Sequence, residues 1–130
     1  MTHPNEKLLT EYVNAAGSGD VATLNELFSD DVTWHVGGNH ALSGDHRGKE
    51  KVFGLFGMLA ERSGGTARLQ PTDTIVDDWF AVALAEVVGT FDGESLDNAR
   101  AAMVLRIEDG RFTEIWSHHH NQEEMDRLWS

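Results

Sequence analysis

Three consecutive histidines, His118, His119 and His120, close an alternating apolar stretch that begins after Asp109-Gly110. Imidazole titrates near neutrality, so a histidine facing an apolar cavity can take up or release a proton with little tuning. On a strand, successive side chains alternate between faces, which lets only His118 and His120 share one side. A two-residue hairpin turn at Asp109-Gly110 pairs 108 with 111. Counted outward, it sets Ile107 opposite Phe112, Met103 opposite Trp116 and Ala101 opposite His118. That register predicts an apolar face of Leu105, Met103, Trp116 and His118, continued by His120, with His119 on the other side beside Arg100. His118 or His120 is then the candidate base. The alternative is that both are hydrogen-bonded residues at a strand end.

Two carboxylates are further candidates. Glu86 interrupts the bulkier side of Phe80-Val82-Leu84-Glu86-Val88, where desolvation would raise its pKa and suit it to acid or base work. A salt bridge to Arg68, Arg100 or Arg106, or exposure at a sheet edge, is the other reading. Asp73, alternating with Leu69 and Ile75, is weighed in the same way. Trp34, Tyr12 and Phe53 offer aromatic surface for a pocket or a core. The histidine run lacks any recognised ligand spacing, so no metal is expected. No phosphate-binding glycine pattern, dinucleotide fingerprint or serine elbow occurs, and the chain has no cysteine. Covalent catalysis therefore has no support.

Positioning these residues requires helices first and strands second. Leu8, Leu9, Tyr12, Val13 and Ala16 recur at helical spacing from Asn5 to about Ala16, and Gly17-Ser18-Gly19 ends that helix. Asp20 can cap a shorter helix to about Phe28. Val32, Trp34 and Val36 alternate with His35 in a short strand, followed by a polar glycine-rich loop from Gly37 to Gly48. Val52, Phe53, Phe56, Leu59 and Ala60 mark a third helix from Lys49 to about Arg62. Beyond it the period falls to two, predicting strands at 66–76, 79–91, 99–108 and 111–120 joined at Asp77-Asp78, Asp92-Gly93 and Asp109-Gly110. The result is one α+β domain over residues 1–130, its sheet packed on the early helices.

Bulk properties narrow the function. Ten basic against twenty-two acidic residues give a net charge of −12, a field that repels nucleic acid and anionic membranes. No stretch has the ~20 apolar residues of a membrane span, and the first residues lack the pattern of a signal peptide. A cytoplasmic location is the expectation.

Three segments resemble the SnoaL-like branch of the nuclear transport factor 2-like, cystatin-fold superfamily. They are Ser29-Asp30-Asp31-Val32-Thr33-Trp34-His35-Val36-Gly37, then Leu42-Ser43-Gly44-Asp45-His46-Arg47-Gly48-Lys49-Glu50-Lys51-Val52, and finally Asp109-Gly110-Arg111-Phe112-Thr113-Glu114-Ile115-Trp116. The resemblance implies a cone-shaped domain with N-terminal helices on a strongly curved, mainly antiparallel sheet enclosing a pocket. It also implies pairing into a homodimer through the outer sheet surface. Catalytic relatives work without a cofactor, a buried base moving a proton while polar donors hold an oxyanion. Where cyclase-like and epoxide-hydrolase-like members carry an aspartate past the tryptophan of the last strand, this chain has His118, His119, His120 and Asn121.

The expected function is a cofactor-independent enzyme of the polyketide cyclase, isomerase or epoxide hydrolase type. It would act on a small hydrophobic carbonyl or epoxide compound by proton transfer or water activation. His118 or His120 would be the base and Glu86 or Asp73 its orienting group, with Trp34, Trp116, Met103, Tyr12, Phe53 and Leu105 about the ligand. The alternatives are a noncatalytic ligand-binding domain and a dimeric interaction module of the same fold.

Overall fold

The computed structural model describes residues 3–91, 93–95 and 99–128. Helix α1 (Pro4–Ser18) starts at His3, whose ring Nδ1 accepts from the Asn5 N–H at 3.1 Å, with Pro4 in the first turn where its missing N–H costs nothing. Helix α2 (Val21–Leu27) is capped by Asp20, which accepts from the Thr23 N–H at 3.2 Å. Strand β1 (Phe28–Val36), the short strand β2 (Gly44–Arg47) and helix α3 (Lys49–Ser63) follow. The segment expected as a polar loop thus carries β2, which pairs antiparallel with β1 from Thr33↔Arg47 to Val36↔Gly44.

Strands β3 (Arg68–Val76), β4 (Phe80–Val88), β5 (Thr90–Phe91), β6 (Glu94–Ser95), β7 (Arg100–Glu108) and β8 (Arg111–His119) complete the sheet region, and helix α4 (Gln122–Leu128) follows. The expected strand at 79–91 is shorter, ending at Val88, and its last residues join a separate β5–β6 ribbon. Asp92, of the expected Asp92-Gly93 turn, lies outside the described residues. The main sheet runs β2-β1-β8-β7-β4-β3. All its pairings are antiparallel except β1 with β8, so the first long strand returns beside the last. At the β7–β8 hairpin Asp109 and Gly110 both have positive φ, 52° and 72°, the backbone twist a two-residue turn between strands demands.

Helices α1, α2 and α3 cover one face of the sheet. The core between them is aromatic, with Phe28 and Phe112 fully buried and Tyr12 meeting Phe112 edge-on at 5.6 Å. On β4 the buried row is Ala81, Ala83 and Ala85, while Phe80, Val82, Leu84 and Glu86 face outward. This reverses the expectation for β4. Short alanines are what allow α1 to lie close over β3 and β4, so the bulkier row takes the outer face and Leu84 is 40% exposed. No helix among the described residues is long and apolar enough to cross a membrane.

Candidate active site

The hairpin register decides which side chains reach the interior. Ile107 pairs with Phe112 as counted from the turn, but Arg106 pairs with Glu114, leaving Thr113 as an extra residue in β8. Beyond this bulge every β8 residue is displaced by one against β7. Met103 faces Ser117 rather than Trp116, and Ala101 faces His119 rather than His118. A one-residue slip carries a whole row to the other face. The inner row of β8 is therefore Phe112, Ile115, Ser117 and His119, and Trp116 and His118 stand on the outer face. The parity that pointed to His118 and His120 selects His119 instead.

Ser117 and His119 open onto a cavity of about 530 Å³ bounded by α1, α2, α3 and the inner sheet face. Tyr12, Trp34, Phe53, Phe56 and Met103 are among its walls, and Leu105 is buried in the core beneath without lining it. Trp34 Nε1 donates to Ser117 Oγ at 2.6 Å, and Ser117 Oγ donates to Met103 Sδ at 3.3 Å. Sulfur is a weak acceptor, so the Ser117 proton can turn to a ligand oxygen at small cost. Burial drives the His119 pKa down to about 4, helped by the nearby His40 and His118 rings and opposed by Asp126. The ring is neutral at pH 7 and can accept or donate. Burial likewise raises the Tyr12 phenol, to above its ordinary range, so it too stays neutral.

Close to His119, outside the cavity lining, lies a part of the chain that the strand pattern did not single out. Asp126 on α4 accepts from the Asn39 N–H at 2.8 Å and from Gln122 Nε2 at 2.9 Å. These bonds, the backbone one first, hold its pKa below the usual carboxylate range. Gly38 has φ +85°, a backbone conformation that strains other residues, and a Cβ there would also displace the Gln122 and Asp126 side-chain ends that meet the loop. His40 follows, its Nδ1 accepting from the Leu42 N–H at 3.1 Å and its pKa lowered chiefly by burial. The sequence signal for this contact was Gly37-Gly38 followed by a polar stretch, which predicts a loop but not what it touches.

The other predicted acid–base residues lie elsewhere. His118 and His120 are exposed, and the His120 N–H bonds Arg100 O at 2.8 Å. Glu86 is exposed on the outer face opposite Arg100 and Gln70, and Asp73 is exposed on β3. None of the four lines the cavity. The outer face instead gathers a histidine that sequence reasoning left unused. His35 Nδ1 lies 2.7 Å from Asp45 Oδ1 and its Nε2 2.5 Å from Glu114 Oε2, with the ring stacked on Trp116 at 5.5 Å. Partial burial disfavours the charged ring, but the two carboxylates outweigh it and raise the pKa. Among the described residues no group of three or more histidine, aspartate or glutamate side chains is placed to hold a metal ion.

The family profile of the SnoaL-like domain matches residues 9–115. An uncharacterized protein of Mycobacterium tuberculosis is 28% identical over 117 residues, covering 89% of this chain and 88% of its own. Among solved structures, a protein of unknown function with a cystatin-like fold from Xanthomonas campestris is 33% identical with a TM-score of 0.89, covering 95% and 96%. Bal32a, from a soil-derived mobile gene cassette, is 26% identical with a TM-score of 0.93, covering 98% and 97%. A SnoaL-like polyketide cyclase candidate from Jannaschia sp. CCS1 shares the fold at 14% identity, with a TM-score of 0.81 over 98% and 92%.

Proposed function

The chain belongs to the SnoaL-like domain family, and on that premise we propose that it is a cofactor-independent enzyme moving a proton on a small, largely apolar carbonyl or epoxide compound. His119 would be the base and Ser117 the donor to the substrate oxygen. The observation that carries this reading is the Thr113 bulge, which turns both groups into an apolar cavity of about 530 Å³. That volume suits one small organic ligand. Near pH 7 the His119 ring is unprotonated and ready to accept. As a proton leaves the substrate, negative charge develops beside the ring and stabilises the imidazolium, while the Ser117 hydroxyl meets the oxyanion.

Thermal unfolding against a panel of polyketides, cyclic ketones and terpenoid epoxides identifies the ligand class, since a compound at 100 times its Kd stabilises the fold by ~2.7 kcal/mol. Turnover of the best binder should then fall ~10²- to 10⁴-fold in His119→Gln with binding retained. It should be unchanged in His118→Ala. Undiminished turnover in His119→Gln would sink the proposal.

One observation favours a second reading, a ligand-binding domain without turnover: no carboxylate is among the described residues lining the cavity. A ligand that stabilises the protein and is recovered unchanged supports that reading.

We also propose that the outer sheet face pairs with a second copy. Val82, Leu84, Val104 and Trp116 form an outward apolar stripe on adjacent strands. Light scattering should give a dimer for the native chain and a monomer for Leu84→Asp.

A further inference from the structure

The cavity has a mouth, and its rim carries a charge that the proton-transfer reading does not use. Val21, 58% exposed, and Arg68, also exposed, both line the cavity, so the opening lies where the end of α1 and the start of α2 meet the start of β3. Gly17, Gly19 and Gly65 keep this rim free of side chains. Arg68 rises directly beside it, its Cβ 3.9 Å from where a Cβ on Gly17 would be.

Among the described residues lining the cavity, Arg68 alone carries a fixed charge. Three cations elsewhere on this acidic chain are matched. Lys49 reaches Asp30 at 3.2 Å, Arg106 reaches Glu108 at 3.3 Å and Arg127 reaches Glu94 at 3.0 Å. Among the described residues no carboxylate lies within ion-pair distance of Arg68. The nearest acidic residue in the rim sequence, Asp20, has both carboxylate oxygens turned to Thr23. An arginine fork matches a carboxylate with two parallel hydrogen bonds. One guanidinium on a chain of net charge −12 favours a singly charged head group over a phosphate dianion, which the field repels twice as strongly.

The polar group at the other flank fixes the rest of the ligand. His119 is on β8 and Arg68 on β3, separated in the sheet by β7 and β4. The His119 row crosses β7 and β4 to reach β3 at Pro71, three residues from Arg68, so three strand spacings of about 4.8 Å and a rise of about 3.4 Å per residue put the two on the order of 17 Å apart along the sheet, with apolar walls between. We infer that the cavity takes an apolar oxo-carboxylic acid, its carboxylate held at the rim by Arg68 and its carbonyl buried at Ser117 and His119. The carbonyl end rests on the function proposed above; the carboxylate end rests on the rim alone.

The test uses straight-chain ω-phenyl-ω-oxo carboxylic acids of graded chain length, each with its methyl ester, measured by calorimetry on the whole protein at neutral pH. The expected result is one chain length whose acid binds about tenfold more tightly than its ester. In Arg68→Gln the gap should close through loss of acid binding while ester binding holds, and Arg68→Lys should restore part of it. Because Arg68 is exposed, an unchanged unfolding temperature in Arg68→Gln is expected and confirms that the fold is not at issue. Equal binding of acid and ester to the native protein overturns the carboxylate inference and leaves the cavity reading standing. A preference for acid that survives Arg68→Gln overturns the assignment to Arg68. Failure of both acid and ester at every length overturns this inference and the apolar-ligand reading together. His119→Gln separates the two ends, since it should lower turnover ~10²- to 10⁴-fold without changing the ratio of acid to ester binding.

Discussion

His119 and His35 stand on opposite faces of one sheet, one strand apart, and their rings are driven in opposite directions. His119 faces the cavity, where burial and the neighbouring imidazoles lower its pKa to about 4. His35 pairs with Trp116 in the β1–β8 register and faces outward between Asp45 and Glu114, which raise its pKa against its own partial burial. Residue type is the same and the sheet is the same. What differs is which face each ring is on, and with it whether a carboxylate or an apolar wall meets the ring. Burial disfavours the charged form of the inner ring, and the outer ring ties β1 to carboxylates on β2 and β8.

The comparison is broken most severely through the rows that flank the two rings. Phe112→Ala removes a fully buried ring in contact with Tyr12 and should cost about 3–5 kcal/mol in urea unfolding. Trp116→Ala, on the half-buried outer row, should cost less than half as much. Equal losses would mean that the outer face is as thoroughly covered as the inner one.

Stability against pH sharpens it next. Below about pH 6.5 the unfolded chain binds a proton at His119 that the folded chain takes up only near pH 4, so folding stability should rise with pH across that window. The full effect is of order 3 kcal/mol, and His119→Gln should flatten this acid limb. An unaltered limb in that variant would place the desolvated group elsewhere.

His35 acts with the opposite sign and the smallest magnitude. Its raised pKa contributes stability that is complete below about pH 6.5 and is lost as pH rises through the folded value. The groups are partly exposed, so at most about 1 kcal/mol is expected. His35→Gln should remove the decline, and hydrogen exchange should quicken at Asp45, His46 and Arg47, whose strand is tied down by this ring. Unchanged exchange there would show that the backbone ladder alone holds β2.

Much of the architecture was readable because it is local. The Asp20 cap, the helix break at Gly17-Ser18-Gly19 and the Asp109-Gly110 hairpin follow from side-chain capping and allowed backbone angles, which the nearest few residues determine, whereas the His3 cap two residues ahead of the expected start was not foreseen. The alternation in β4, β7 and β8 was equally plain. The inner placement of Trp34, Met103, Tyr12 and Phe53 could be anticipated from bulk and spacing. The candidate base could not, because counting from the turn assumes an uninterrupted ladder, and Thr113 is an ordinary residue that nothing in the sequence marks as extra.

By itself, then, the chain of residues determined an α+β fold of the SnoaL-like family, an acidic composition and a histidine-rich end to the last strand. Only the tertiary structure decided which histidine faces inward, that α4 brings Asp126 to the loop of His40, and that β4 hides its alanines rather than its larger side chains. The physical reason is that periodicity fixes which residues share a face. Which face is buried depends on partners distant in sequence, and a single bulge reverses the answer.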